Sequence, residues 1–408
     1  MTNPLADPYL VLTKIYSDGA RLKQALADTP IEELHRARTV KIVYGVLEKD
    51  LFLSHCIRYY APKAPKLPVR IVLKIALYMM LFMEKQRYMV TDNAVALLKK
   101  AGKGGVSGFV NAFLRKFDIN EVPMPAGDEG ISVKYSYPLF AVKMLKKQYG
   151  DRAEDIMSAQ SQGVTVRFQK SGDAYLEKEH LDTPFENTYI FKNFTRDAGF
   201  CNGDYTFQSV GSIAICYGVE ACEKLLDACA APGGKSVLLS DKCKEVTSFE
   251  LHAHRVKLIE EAKNRMGKSN ITAMQKDSSV FDESYAEAFD GVLCDVPCSG
   301  MGTVSENPDV KLNRTAEDIP ALNKIQKNIL SACSRYVKKG GSLYYSTCSI
   351  FKQENDDVVR EFLKNNPDFT VERTENPLPH EKTEYGLQFL PDKAFGAGFY
   401  FCKLRKRG

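Results

Sequence analysis

The stretch "KLLDACAAPGGKS", residues 224–236, decides how the second half of the chain is read. A short apolar run leads into Asp227, small residues follow, and Gly233 and Gly234 stand just before a segment able to turn helical. This is the pattern of a strand passing into a helix through a tight turn. There the backbone can approach a ligand closely, and the helix N-terminus offers free N–H groups. A phosphate-binding loop competes for the same residues. Gly234, Lys235 and Ser236 would close a G-x-x-x-x-G-K-S pattern, and "VLCD" at 292–295 would supply its acidic, magnesium-holding strand. That pattern needs glycine at position 229, where Cys229 stands.

Working outward, "VTSFEL", "ITAMQKD", "FDGVLCDV" and "GSLYYSTCS" read as further strands. They are separated by helical stretches such as "AHRVKLIEEAKNRMG" and "IPALNKIQKNILSACSRYVKK". Strand and helix in alternation predict a parallel, doubly wound, Rossmann-like α/β sheet, whose ligands bind at the carboxyl ends of the strands. The second strand is read as ending at Glu250, where an acid can accept hydrogen bonds from ribose hydroxyls. The third is read as ending at Asp277, suitably placed for an adenine amino group. Acids at successive strand ends behind a glycine turn describe a nucleoside site with no provision for a triphosphate. S-adenosylmethionine suits such a site.

The fourth and fifth runs end in "DVPCSGMG" and "YYSTCSI", which places Cys298 and Cys348 at adjacent strand mouths among Ser, Thr and Gly neighbours. Most free cysteines are small buried hydrophobes. Two in polar company at one edge look chemical, since a thiolate is a strong nucleophile. A methyl donor beside a thiolate points to methylation of an aromatic carbon. C5 of a pyrimidine becomes nucleophilic only after a thiolate adds to C6. Asp295 could protonate or hydrogen-bond the ring nitrogen during that addition.

The rest of the chain sets the context. Residues 1–150 hold 23 Lys and Arg against 13 Asp and Glu, and the remainder holds 33 against 38, so the basic surplus belongs to the N-terminal third. Such a surplus fits a polyanion partner or a plain solvated face. Eleven cysteines without C-x-x-C pairs, and no signal peptide, predict a reducing, cytoplasmic setting. Neither Cys294 and Cys298 nor His252 and His254 have the company zinc requires, so no metal is expected. "IVLKIALYMMLFM" at 71–83 contains Lys74 and is too short to span a bilayer, which makes it a core helix and predicts no membrane association.

Residues 4–117 read as six or seven helices. Thr29 is expected to cap one of them in a box with Glu32, and Pro68 to open the next long one. "EVPMPAGDEG" at 121–130 reads as a linker. A mixed piece follows, with a helix in "YPLFAVKMLKKQYG" and strands in "VTVRFQ" and "TYIFKNF". The domains expected are a helical one over 1–125, a small α+β one over 131–205 and the catalytic one over 206–408.

On "DACAAPGGKS", "DVPCSGMG", "YYSTCSI" and the closing "GFYFCKL", the sequence resembles the Sun/NOP family of RNA cytosine-5 methyltransferases over nearly its whole length. The helical domain is similar to the RNA-binding fold of NusB. The resemblance implies S-adenosylmethionine as cofactor and RNA as substrate, ribosomal in the first place and transfer RNA as the alternative. It also implies Cys348 as the nucleophile and Cys298 as the thiol that assists release. The expected cofactor site comprises Asp227, Cys229, Ala230, Ala231, Pro232, Gly233, Gly234, Lys235, Glu250, Arg255, Asp277 and Asp295. Ser209 and Ala397 stand where the family usually has Asp, and Asn307 where it often has His. A monomer is expected. A noncatalytic RNA-binding assembly factor and a nucleotide hydrolase are the competing functional readings.

Overall fold

The computed structural model of the chain describes residues 3–408. Two compact units emerge: one runs to Met157 and includes Asn307–Arg314, and the other comprises Ser158–Glu306 and Thr315–Gly408.

The first unit opens with seven α-helices, Ala6–Asp18, Leu22–Ala27, Glu33–Glu48, Asp50–Tyr60, Leu67–Phe82, Arg87–Lys100 and Ser107–Lys116. Pro68 sits in the first turn of Leu67–Phe82, as read from the sequence, and that helix is buried along most of its length. Lys74 is tolerated inside because its Nζ meets Asp50 Oδ1 at 2.5 Å, and Asp50 also accepts from the Tyr16 hydroxyl. A buried charge persists only when paired in this way. Gly45 lets two helices cross closely, since a Cβ there would fall 1.9 Å from the Tyr78 ring. The capping box expected at Thr29 does not form. Its hydroxyl donates back to Ala25 O at 2.7 Å, and the next helix begins at Glu33.

The stretch read as a linker already contains the helix Gly127–Tyr135, with Asp128 and Glu129 in its first turn, where acids favour the helix dipole. Leu139–Tyr149 and Ala153–Ser158 follow. The compact units therefore divide the chain near residue 158, within the piece read as 131–205. Asn307–Arg314 joins the first unit through hydrogen bonds from Lys311 Nζ to Glu48 O (3.0 Å) and from Leu22 N to Asp309 Oδ2 (3.2 Å).

The second unit carries two sheets. The smaller consists of β1 (Val164–Phe168), β2 (His180–Asp182), β3 (Thr188–Phe191) and β4 (Tyr205–Phe207), antiparallel in the order β2-β3-β1-β4. Its core is Val166, Phe168, Phe191 and Tyr205.

The larger sheet contains β5 (Lys224–Asp227), β6 (Glu245–Glu250), β7 (Ile271–Gln275), β8 (Phe289–Asp295) and β9 (Val337–Thr347), parallel in the order β7-β6-β5-β8-β9. Both faces are covered. Leu225, Leu293 and Tyr344 pack with Ile213, Ile215 and Ile259 on one side, while Leu226, Val292, Leu343 and Tyr345 pack with Ile329, Leu330, Val358 and Val359 on the other. Two-sided burial is why these strands read as continuous apolar runs.

The sheet is mixed, beyond the parallel one expected. β10 (Phe369–Glu372), β11 (Glu381–Lys382), β12 (Leu387–Phe389) and β13 (Phe399–Lys406) extend it, with β13 antiparallel to β9, β10 and β12. No helix intervenes between β12 and β13, so the chain turns back locally instead of crossing over. Strand order reverses between β5 and β8, and a cleft for ligands belongs at that switch point.

Candidate active site

Asp227 and Asp295 end β5 and β8, the strands flanking the switch point. Asp227 is almost wholly buried and accepts from Ser236 Oγ at 2.7 Å, and Ser248 Oγ donates to Ser236 Oγ at 2.9 Å. Its other oxygen, Oδ1, is sealed from solvent and has no donor in the protein. Burial lifts its carboxyl to about 6, with the Ser236 bond opposing and the Asp295 charge adding to the rise.

That strain yields a testable pH dependence. A folded-state value of about 6 lies above the ordinary aspartate value of about 3.9. Stability is therefore full below the ordinary value and falls as pH rises through the folded one. Asp227→Asn is expected to stabilise the ligand-free protein near neutral pH by about 1–3 kcal/mol, and much less near pH 4. Urea unfolding at the two pH values checks this, and an equal gain at both would contradict it.

Gly233, with φ +99, turns the chain into the helix Gly234–Leu239, and Ala230 N donates to Phe249 O at 2.9 Å, tying the turn to β6. Gln208 Nε2 reaches Gly234 O at 3.2 Å from the other side. Glu250 ends β6 and is buried, with its Oε1 accepting from His252 N at 3.0 Å. Arg255 meets the Glu250 carboxylate at 3.2 Å and donates through Nη2 to Ala231 O at 3.2 Å, so it locks acid and turn together. Asp277 stands two residues beyond the end of β7, exposed, its Oδ1 accepting from Ser279 N and Oγ. Cys229 is held well above the ordinary thiol range, first by burial.

These residues fit S-adenosylmethionine. Glu250 offers a buried carboxylate at the end of β6, tied to the turn at Ala231 through Arg255, and Asp277 an exposed one just past the end of β7. The unpartnered Asp227 Oδ1 suits an ammonium or hydroxyl donor. Lys235 sits differently from the rest of the turn. Its Nζ meets Asp295 Oδ2 at 2.8 Å, and although burial works against the charge, Asp295 holds it above the usual lysine range. Asp295 Oδ1 accepts from Ser346 Oγ at 2.8 Å, which links the ends of β8 and β9.

Beyond those two ends the thiols converge, with Cys298 Sγ 3.2 Å from Cys348 Sγ. The hydrogen bond between them, followed by burial, keeps Cys298 well above the ordinary thiol range. Gly302 N donates to Cys348 O at 3.0 Å, and Gly302 packs so closely on Gly398 that a Cβ at 302 would fall 2.0 Å from Gly398 O.

Sequence reasoning missed the polar frame of the site, notably Ser236 on Asp227, Ser346 on Asp295, and Gln326 and Glu354 on the loops that carry the thiols. Each of them reads as an ordinary helix, strand or turn residue until the fold brings its partner near. One departure from the family pattern has a local explanation. Ser209 caps Val210–Gly218 by accepting from Ser212 N at 3.3 Å, as Asp would. Asn307 precedes the short helical segment Pro308–Asn313. Ala397 is buried, and nothing in the structure explains its replacing Asp. Among the described residues no cluster of metal-ligating side chains occurs, and no helix is long and apolar enough to cross a membrane.

The profile of the 16S rRNA methyltransferase RsmB/F family matches residues 215–405, and that of the NusB family matches residues 11–118. The chain is 32% identical to the probable ribosomal RNA small subunit methyltransferase B of Bacillus subtilis (strain 168), covering 95% of this chain and 94% of that protein. It is 30% identical to the ribosomal RNA small subunit methyltransferase B of Pasteurella multocida (strain Pm70), covering 97% and 94%. The crystal structure of PH0851 shares the fold, with a TM-score of 0.86 at 22% identity, covering 99% of this chain and 98% of that one. Similarity that runs the full length of curated relatives at this identity leaves one conclusion: the chain belongs to the RsmB/F family of 16S rRNA methyltransferases.

Proposed function

We propose that this RNA methyltransferase modifies C5 of a cytosine, in small-subunit ribosomal RNA, through a covalent adduct at Cys348, working as a monomer in the cytoplasm. The observation that carries the reading is the pair of thiols 3.2 Å apart beside the Asp295–Lys235 ion pair. Methylation of an oxygen or exocyclic nitrogen has no use for an enzyme thiol. S-adenosylmethionine, the cofactor of this family, supplies an electrophilic methyl group when bound.

The remaining chemistry belongs to the chain. Cys348 Sγ adds to C6 of the cytosine, which makes C5 nucleophilic. The proton that the Cys348 thiol gives up is taken up at N3 as sulfur adds, and the Asp295 carboxylate, held in place by Lys235 and Ser346, accepts the resulting N3–H hydrogen bond and so favours the protonated ring. After C5 is methylated a base passes its proton to solvent, the C5–H electron pair re-forms the C5=C6 bond, the C6–sulfur pair leaves on Cys348 Sγ, and Cys298 assists that departure from beside the leaving sulfur. All eleven cysteines are free thiols, which suits a reducing compartment.

The test is nucleoside analysis of small-subunit RNA and of transfer RNA after incubation with the protein and S-adenosylmethionine. 5-Methylcytidine in the first is expected. A ribose or N4 methyl would overturn the chemistry, and labelling of transfer RNA alone would overturn the substrate.

Glu250→Ala is expected to weaken S-adenosylmethionine binding by about 1.5–3 kcal/mol, through loss of charge-assisted hydrogen bonds to ribose. Calorimetry on the folded variant checks this, and unchanged affinity removes Glu250 from the site.

The domain over 1–125 enters the proposal as the RNA-gripping module. Its excess of Lys and Arg predicts that log affinity of the full chain for RNA falls steeply and linearly with log salt. A flat plot would contradict that role.

A further inference from the structure

Glu354 lies in the turn Lys352–Glu354, six residues beyond Cys348, and is fully buried. A carboxylate survives such burial only where donors surround it. Here four reach it. Oε1 accepts from Ser299 N at 2.8 Å and Gln326 Nε2 at 3.0 Å, and Oε2 accepts from Ser299 Oγ and Ser349 Oγ, both at 2.5 Å.

The identity of those donors matters. Ser299 directly follows Cys298, and Ser349 directly follows Cys348. Gln326 also donates to Pro297 O at 3.0 Å, so the residues on both sides of Cys298 are tied to one network. The neighbouring Asn355 does the same for the other loop, accepting from Thr347 Oγ1 at 2.6 Å and donating to Ser349 O at 3.1 Å. One acid thus spans the two loops that carry the thiols.

We infer that Glu354 is a positioning residue that fixes the separation of Cys298 and Cys348, and thereby couples attack by one thiol to release assisted by the other. This rests on the two-thiol reaction proposed above. Glu354 →Gln keeps the shape but turns an amide N–H₂ toward donors, and Glu354→Asp keeps the charge but retracts it from one loop.

The experiment measures thiol separation directly, by the affinity of a trivalent phenylarsenical that must bind both sulfurs. A Cys222→Ser background removes another close pair, Cys222 and Cys243 at 3.6 Å, and mass spectrometry of peptides maps the bridge to Cys298 and Cys348. In Glu354→Gln, bridging and the kcat of RNA methylation are both expected to fall about ten- to a hundredfold, as small misplacement of reacting groups does. KM for S-adenosylmethionine should stay within about twofold, because loss of positioning acts on kcat rather than on uniform binding. Glu354→Asp should recover less than half of either loss.

Ser349→Ala should form the covalent RNA adduct slowly, whereas Ser299→Ala should form it normally and release it slowly. Wild-type bridging and kcat in Glu354→Gln would overturn the inference. If that variant does not fold, wild-type bridging and adduct kinetics in both serine variants would overturn it. Loss of bridging, where even the unsubstituted protein forms no RNA adduct, would sink the two-thiol reaction and leave the positioning role standing.

Discussion

Cys348→Ala is expected to abolish methylation and to form no covalent protein–RNA species. Cys298→Ala is expected to accumulate a denaturant-resistant adduct through Cys348. The two sulfurs are 3.2 Å apart, near enough for both to serve one reacting ring carbon. Removing the attacking sulfur removes the chemistry, so activity should fall on the order of 10³–10⁶-fold, as for other nucleophiles acting within a concerted group. Removing Cys298 leaves addition and methyl transfer in place and slows expulsion of the Cys348 sulfur. A denaturing gel of each variant with target RNA and S-adenosylmethionine reads both outcomes. Were the thiols only packing, each variant would lose about 1–3 kcal/mol of stability and neither would show a retarded band. A band from Cys348→Ala but not from Cys298→Ala would reverse the roles.

The parts of this molecule legible in its sequence are those written in local pattern. β5 to β9 are buried on both faces and so stand out as apolar runs, and the glycines at 233 and 234 mark a turn whose φ of +99 few other residues adopt. Glu250 and Asp295 could be placed because a strand end is a local event. The antiparallel additions were not legible, because β10 to β12 are short, and which edge β13 joins depends on partners far away in the chain. Thr29 misleads because a hydroxyl that could cap the following helix finds the carbonyl of Ala25 within reach first. Glu354 hides among the acids of "QENDD", and only the fold reveals that its donors come from residues 299, 326 and 349. The same holds for Lys235. The glycine-lysine pair suggests a ligand contact, yet its charge is committed to Asp295 on another strand.

That ion pair makes the second large effect. Asp295 is oriented twice, by Lys235 Nζ at 2.8 Å on one oxygen and by Ser346 Oγ at 2.8 Å on the other. A carboxylate so fixed needs no reorganisation to accept a hydrogen bond from N3 as that nitrogen takes up a proton during attack at C6, which is the condition for electrostatic catalysis. Asp295→Asn preserves the outline and the Ser346 contact but removes the charge, and it leaves the Lys235 ammonium facing an amide. The single-turnover rate of RNA methylation is expected to fall about 10²–10⁴-fold, the range for a lost general acid–base or charge-stabilising group. RNA affinity should change little, because phosphate contacts elsewhere dominate it. Ser346→Ala removes only one of the two restraints and should cost far less. Lys235→Met removes the counterion and should lower the rate by an intermediate amount, with some loss of stability from the half-buried carboxylate left behind. The discriminating measurement is the adduct rate in Asp295→Asn. If addition at Cys348 is slowed together with methylation, Asp295 acts on the ring. If the adduct forms at the wild-type rate, Asp295 serves only to hold Lys235, and the ring nitrogen must find its partner elsewhere.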